Sequence, residues 1–179
     1  MKKFIVPILL LLVCLFAYVS QAQNDEKKEL PVTLERRENK QVYFEKVYMV
    51  ETASKADLYQ RVKEWVTTNL SSSDNNISFD DQDKDYINTT ARMPLEGLSG
   101  ISVSFKVSIH FKDGKVKLEC PSFTYISMTE GRLVESELGN IKFGGANKRI
   151  YRSFDKTFEK FLQSFDNGIH YSQKKSDNW

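Results

Sequence analysis

From Ile101 to Phe111 every second residue is apolar: Ile101, Val103, Phe105, Val107, Ile109 and Phe111. Ser102, Ser104, Lys106, Ser108 and His110 fill the gaps. A period of two is the pattern of a strand with one face in a core and one in water. Lys112 closes the run, and Asp113-Gly114 is the dipeptide of a type I′ hairpin turn. Folding the chain back over two residues sets Lys112 opposite Lys115, Phe111 opposite Val116, Ile109 opposite Leu118 and Val107 opposite Cys120. Apolar meets apolar in each pair on one face, which supports the register. On the other face His110 meets Lys117 and Ser108 meets Glu119. The hairpin region extends to Ile126.

Two segments carry a helical period instead. Leu58, Val62, Trp65 and Val66 fall at i, i+4, i+7 and i+8, ending near Leu70. Ser54 is a good N-cap, and Asp57 three residues later completes a start of the capping-box kind. Ser71 to Asn76 stops this helix. Trp65 reads as a core anchor on the stripe. A second helix runs from about Asn147 to Asp166, with Ile150, Phe154, Phe158, Phe161, Leu162 and Phe165 as its stripe and Gly168 placed to end it. Packing against a sheet accounts for its four phenylalanines.

The remaining elements are shorter. Residues 41–50 (QVYFEKVYMV) make a first strand, Ile77-Ser78-Phe79 a second and Asp85 to Met93 a third. Asp81, Asp83 and Asp85 imitate the opening of a calcium loop, but Tyr86 stands where the Gly belongs and Arg92 where the bidentate Glu belongs. An acidic hairpin turn is the better reading. Residues 127–146 hold four glycines and no sustained period, so they read as a long loop or a pair of irregular short strands. The order is strand, helix, three or four strands, helix (β-α-β-β-β-β-α). With one face of the hairpin apolar, this gives an α+β two-layer sandwich, an antiparallel sheet with two helices packed on one face.

The start of the chain changes the picture. Lys2 and Lys3 precede an apolar run from Phe4 to Tyr18, and Ser20-Gln21-Ala22 offers small residues at −3 and −1. That is the layout of a secretory signal peptide over residues 1–22. The run is short for the ~20 residues of a spanning helix, which disfavours the rival reading as an anchor. Cys14 follows Leu-Leu-Val, a poor fit to a lipidation box. Residues 23–40 form a charged lead-in, residues 41–168 a single domain, and residues 169–179 a frayed tail. The expected address is periplasmic or secreted.

Charge then narrows the partners. The chain has 26 basic and 24 acidic residues, and the two counts are equal once Lys2 and Lys3 are removed with the signal. Nothing in that balance calls for nucleic acid or an acidic membrane. Without the signal Cys120 is the lone cysteine, so no internal disulfide can form. It could pair with another molecule or act as a nucleophile, but the strand register puts it on the buried side as a small core residue.

Ser54-Lys55-Ala56-Asp57-Leu58-Tyr59, then Arg61 and Trp65, then the Lys112-Asp113-Gly114-Lys115 turn after an alternating strand, carry a resemblance. Over roughly residues 42–126 the chain resembles the domain of unknown function 4468, a family of exported Bacteroidetes proteins described as TBP-like. The resemblance implies a TBP-like fold and an exported protein. It carries over no catalytic residue.

Chemistry is not marked. P-loop, G-x-G-x-x-G, G-x-S-x-G and H-E-x-x-H patterns are all missing. Cys120 and His110 fall on opposite strand faces, and pairing Cys120 with His170 near the tail would be a guess. No catalytic, cofactor or metal site is assigned, and no cofactor is expected. A non-enzymatic binding or interaction module of the cell envelope leads, its partner an envelope protein or a glycan. A membrane-tethered structural component, touching the membrane only through an uncleaved signal, is the alternative. A small hydrolase without a recognisable motif ranks below both. Two surfaces are candidates. One is the polar strand face with Ser104, Lys106, Ser108, His110, Lys117 and Glu119. The other is the loop Thr129 to Gly145, offering Leu133, Leu138, Ile141 and Phe143.

Overall fold

The computed structural model describes residues 34–38, 41–70, 77–79, 83–129, 131–141, 145 and 147–170. The expected signal segment, Phe143 and residues 171–179 lie outside them. The chain divides after Leu30, and all that follows concerns the body from Pro31 onward.

Among its described residues that body has eight strands and two helices: β1 (Glu35–Arg36), β2 (Val42–Met49), α1 (Lys55–Asn69), β3 (Ile77–Phe79), β4 (Tyr86–Pro94), β5 (Ile101–Lys112), β6 (Lys115–Cys120), β7 (Phe123–Thr129), β8 (Arg132–Glu137) and α2 (Asn147–His170), with a 3₁₀ turn at Leu138–Asn140. The sheet is antiparallel, in the order β1-β2-β6-β5-β4-β3. The twelve-residue β5 is its spine. One edge of β5 pairs with β4 from Ser102 to His110; the other pairs with β7 over Ile101–Phe105 and with β6 over Ser108–Lys112. β6 and β7 thus lie end to end, interrupted at Pro121-Ser122, and β2 and β8 flank them in the same way.

Hydrophobic alternation builds the layer beneath the helices. Val103, Phe105, Val107, Ile109 and Phe111 of β5 are buried, as are Val116, Leu118 and Cys120 of β6. The expected pairs Lys112↔Lys115, Phe111↔Val116 and Ile109↔Leu118 all occur. Phe158 of α2 lies edge-on to Phe44, Phe105 and Phe123, with ring centroids 5.2–5.7 Å apart. Tyr59 of α1 meets Phe111 in the same way. Both helices therefore cover one face, as the two-layer reading requires.

The start of α1 is as expected. Ser54 Oγ accepts from the Asp57 N–H at 3.2 Å and donates to Asp57 Oδ2 at 2.8 Å. Four expectations need correction. The Asp113-Gly114 turn is not type I′, because Gly114 alone of the two has positive φ (71°). The turn is instead moored to the entry of α1: Asp113 Oδ1 accepts the Lys55 N–H at 2.7 Å, and the Gly114 N–H donates to the Ala53 carbonyl at 2.9 Å.

Gly168 does not end α2, which continues to His170. A Cβ there would lie 2.6 Å from Trp65 Cδ1, so the glycine admits the indole ring to the helix surface. Of residues 127–146, read as a long loop or a pair of irregular short strands, the first part is regular strand: β7 runs to Thr129 and β8 follows, paired from Thr124↔Glu137 to Thr129↔Arg132. Finally, the charged lead-in is partly structured. Leu34 is buried, and β1 pairs Glu35 with Tyr43 and Arg36 with Val42.

Among the described residues no helix is long and apolar enough to cross a membrane.

Candidate functional site

With both helices on one side, the opposite face of the sheet is left to the polar half of each strand. Ser104, Lys106, Ser108 and His110 of β5 project there, with Lys117 and Glu119 of β6 beside them, so all six expected residues share one surface. His110 sits across from Lys117, and Ser108 from Glu119. Ser102 and Ile126 are the exceptions on this face: a cross-strand pair, both buried, where Arg92 Nε donates to Ser102 Oγ at 3.0 Å.

An ion network crosses three strands. Glu45 of β2 lies directly opposite Glu119 of β6, a repulsive pairing if left alone. Lys117 Nζ relieves it, 3.1 Å from Glu45 Oε1 and 2.5 Å from Glu119 Oε1. Glu119 Oε2 also lies 3.3 Å from His110 Nε2. The hydrogen bond from Lys117 holds the Glu119 carboxyl below its ordinary range, and the hydrogen bonds to Glu119 and Glu45 raise the Lys117 ammonium. Lys106, one row away across from Thr90, is exposed and has no acidic partner among the described residues.

Neighbouring strands complete the surface. Tyr86, Asn88, Thr90 and Arg92 of β4 stand across from His110, Ser108, Lys106 and Ser104. Val47 and Met49 of β2 stand across from Lys117 and Lys115, and about half of each is exposed. Lys112 and Lys115 close the row at the hairpin end. Around Lys106 and Lys117 cations therefore lie beside the exposed Val47, Met49 and Tyr86, while Glu135 and Glu137 of β8 add negative charge farther along the same side. The alternation within β2 and β4 could have named these residues; which strands neighbour β5 was not in the sequence pattern.

The second candidate surface comes apart. Leu133 is exposed on β8, but Leu138 is fully buried in the 3₁₀ turn and belongs to the core. Ile141 is half-buried, and its carbonyl accepts from Tyr151 Oη at 2.6 Å, which also donates to the Leu138 carbonyl at 3.0 Å. Those bonds fasten the segment to α2.

Among the described residues the cysteine and the two histidines stand apart from one another. Cys120 is fully buried and burial pushes its thiol far up, the opposite of an activated nucleophile. His110 faces the other side of the sheet. His170 caps the end of α2 with its Nδ1 3.2 Å from Asp166 Oδ1. Among the described residues no three His, Cys, Asp or Glu side chains converge as metal ligands. A polar groove of about 440 Å³ lies between the helices along Asp57, Arg61, Glu64, Trp65 and Asn167. Two of its donors serve the fold: Trp65 Nε1 bonds Ser164 Oγ at 3.0 Å and Arg61 Nη1 the Ile169 carbonyl at 2.8 Å.

Two solved structures share this architecture. A TBP-like protein from Parabacteroides distasonis superposes with a TM-score of 0.65 at 11% identity, covering 76% of this chain and 97% of that one. A DUF4468 family protein from Bacteroides ovatus superposes at 0.62 and 13% identity, covering 84% and 98%. No curated protein matches the sequence. The family described as "Domain of unknown function (DUF4468) with TBP-like fold" matches residues 44–126, from β2 into β7, the stretch that includes the Ser54 cap, Trp65 and the Lys112–Lys115 turn. Over residues 44–126 the chain therefore carries a DUF4468 domain with a TBP-like fold.

Proposed function

We propose that the protein is an exported, non-enzymatic binding module of the cell envelope, and that the helix-free face of its sheet is the binding surface. One observation carries the reading. Both helices pack on the same side, so the strand rows through Lys106, His110 and Lys117 stay accessible, with Val47, Met49 and Tyr86 exposed among them. Cations beside exposed apolar groups suit an acidic partner, an envelope protein or an anionic glycan. Duplex nucleic acid is not the partner named. Basic and acidic residues balance once Lys2 and Lys3 are removed, so the chain lacks the excess of cations that a duplex backbone calls for.

The test takes the chain starting at Gln23 and measures retention of components from the host envelope fraction, wild type beside the Lys106→Ala, Lys117→Ala double variant. Retention should be lost in the variant while the melting temperature barely moves. Equal retention, or a parallel collapse of stability, would overturn the surface assignment. The export part is tested separately by intact mass from the native host. A mass beginning at Gln23 supports it, whereas a membrane-bound mass retaining residues 1–22 favours the tethered structural component.

A further inference from the structure

The β7–β8 hairpin carries apolar side chains that the fold leaves uncovered. Met128 is 58% exposed, Leu133 55% and Val134 43%, three of the six large hydrophobic side chains exposed among the described residues. Met128 and Leu133 are cross-strand partners on the helix-free side. Val134, across from Ser127, lies on the other side.

β8 is also an edge. Among the described residues it pairs with β7 alone. The hairpin closes at Thr129↔Arg132 over two residues, and the closing pair of such a hairpin turns its backbone groups into the ladder. By alternation Arg132, Val134 and Ser136 bond toward β7. The N–H and C=O groups of Leu133, Glu135 and Glu137 then point outward. Proline, inward charge and bulges are the usual protections of an edge. Arg132–Glu137 (RLVESE) has no proline and pairs with β7 without a bulge, but it carries three charged residues, Arg132, Glu135 and Glu137, which any pairing has to accommodate.

We propose that this edge pairs with β8 of a second copy of the chain, antiparallel about a two-fold axis at Leu133, so that the two sheets continue into one. The register follows from chemistry. A two-fold axis perpendicular to the sheet keeps each face on its own side, so only registers pairing Leu133, Glu135 and Glu137 among themselves, or with Gly131, are available. Centring on Glu135 sets that carboxylate against its own copy, a like-charge pair. Centring on Val134 sets Leu133 against Glu135. Centring on Leu133 sets Leu133 on Leu133 and Val134 on Arg132, and leaves Glu135 beside the turn residue Gly131 (φ 74°), with no like charges opposed. It also forms a continuous apolar row on the helix-free side, Met128 and Leu133 of one copy against Leu133 and Met128 of the other. On the opposite side Val134 meets Arg132 of the second copy, whose aliphatic stem covers it. This register covers all three exposed side chains at once. It does not rest on ligand binding at Lys106 and Lys117, so either idea can fail alone.

Three single-cysteine variants of the chain starting at Gln23 test it, in a Cys120→Ala background under mild oxidation. In the proposed register the two Leu133 Cα atoms are about 5.5 Å apart, within disulfide reach. The two Val134 Cα atoms are about 8 Å apart, beyond it. Leu133→Cys should therefore form the covalent dimer well ahead of Val134→Cys and Glu135→Cys. Faster bridging at Val134 or Glu135, or no preference among the three, overturns the register. Sedimentation equilibrium of the otherwise unaltered chain should show a reversible dimer, which Leu133→Lys weakens about tenfold or more by placing two ammonium groups at the axis. A monomer at every concentration, or a dimer untouched by Leu133→Lys at unchanged melting temperature, overturns the proposal.

Discussion

The two faces of β5 are built from alternating residues of one strand, yet they serve different ends. On the helix side Phe105 is buried in a cluster of rings, with Phe123, Phe158 and Phe161 at 5.2–5.7 Å. Every side chain there is fixed by its neighbours, and a change in volume is felt at once. On the other side Lys106 meets water, and His110 lies 3.3 Å from Glu119 and across from Lys117. Stability is concentrated on one face, which frees the composition of the other. The difference predicts a steep asymmetry in the cost of substitution.

The largest effect belongs to Phe158, fully buried and packed ring to ring with Phe44, Phe105, Phe123, Phe154 and Phe161. Phe158→Ala should cost about 3–5 kcal/mol in urea unfolding. Lys106→Ala, one residue beyond Phe105 in the chain, should stay within about 0.5 kcal/mol. Comparable losses for the two would break the contrast between the faces.

Gly168 sharpens the account of the helix side. Alanine at an ordinary helical position gains about 1 kcal/mol over glycine. Here its Cβ would meet the Trp65 ring at 2.6–3.1 Å, and that ring is held by Phe161, Phe165 and the bond to Ser164. Overpacking of this kind costs about 1–3 kcal/mol. Gly168→Ala should therefore be net destabilising by about 1 kcal/mol, with a shift in the indole fluorescence. In a Trp65→Leu background the same change should turn stabilising.

An ion cluster at the rim of the helix layer gives a smaller, pH-dependent effect. Glu96 takes Lys156 Nζ at 2.8 Å and Lys160 Nζ at 2.6 Å, while its backbone carbonyl accepts from Ser153 Oγ at 2.7 Å. The two lysine hydrogen bonds hold its carboxyl down at about 2, against 4.5 ordinarily. Because the folded value is the lower one, the carboxylate stabilises the fold fully above pH 4.5 and loses that contribution as pH falls toward 2. Melting temperatures of wild type and Glu96→Gln should differ near neutrality and converge over that acid window. The group is solvent-exposed, so the gap should also narrow with added salt. A gap independent of pH would remove the ion cluster as its cause.

What the sequence revealed follows the same division. The β5–β6 register and the stripe of α2 were legible because burial on one side imprints a period of two or of 3.6 on the residues. β8 left no such imprint, since five of its six residues are exposed on either face and Arg-Leu-Val-Glu-Ser-Glu reads as a connection. Gly168 reads locally as a stop signal; the reason for it is Trp65, over a hundred residues earlier. The polar face was half legible. Its β5 and β6 residues follow from the hairpin, but Glu45, Val47 and Tyr86 join them only through the order of strands, which no local pattern encodes. Leu138 reads in the sequence as one of the apolar residues a glycine-containing loop offers to a partner, whereas the Tyr151 hydroxyl ties that segment into the core.

The smallest effect tests whether the polar face contributes to folding at all. Lys117 Nζ stands 3.1 Å from Glu45 and 2.5 Å from Glu119, and without it the two carboxylates face each other with no cation between them. In water such exposed pairs are worth little, because solvent screens the charges and the long side chain gives up freedom to hold its place. Lys117→Ala should lower the melting temperature only slightly, more at low salt than high, as the two carboxylates repel. Adding Glu45→Gln should restore most of that loss, since the repulsion goes with the charge. A large loss, insensitive to salt and not rescued by Glu45→Gln, would mean that the network holds β2 to β6 and that the helix-free face is as structural as the one beneath the helices.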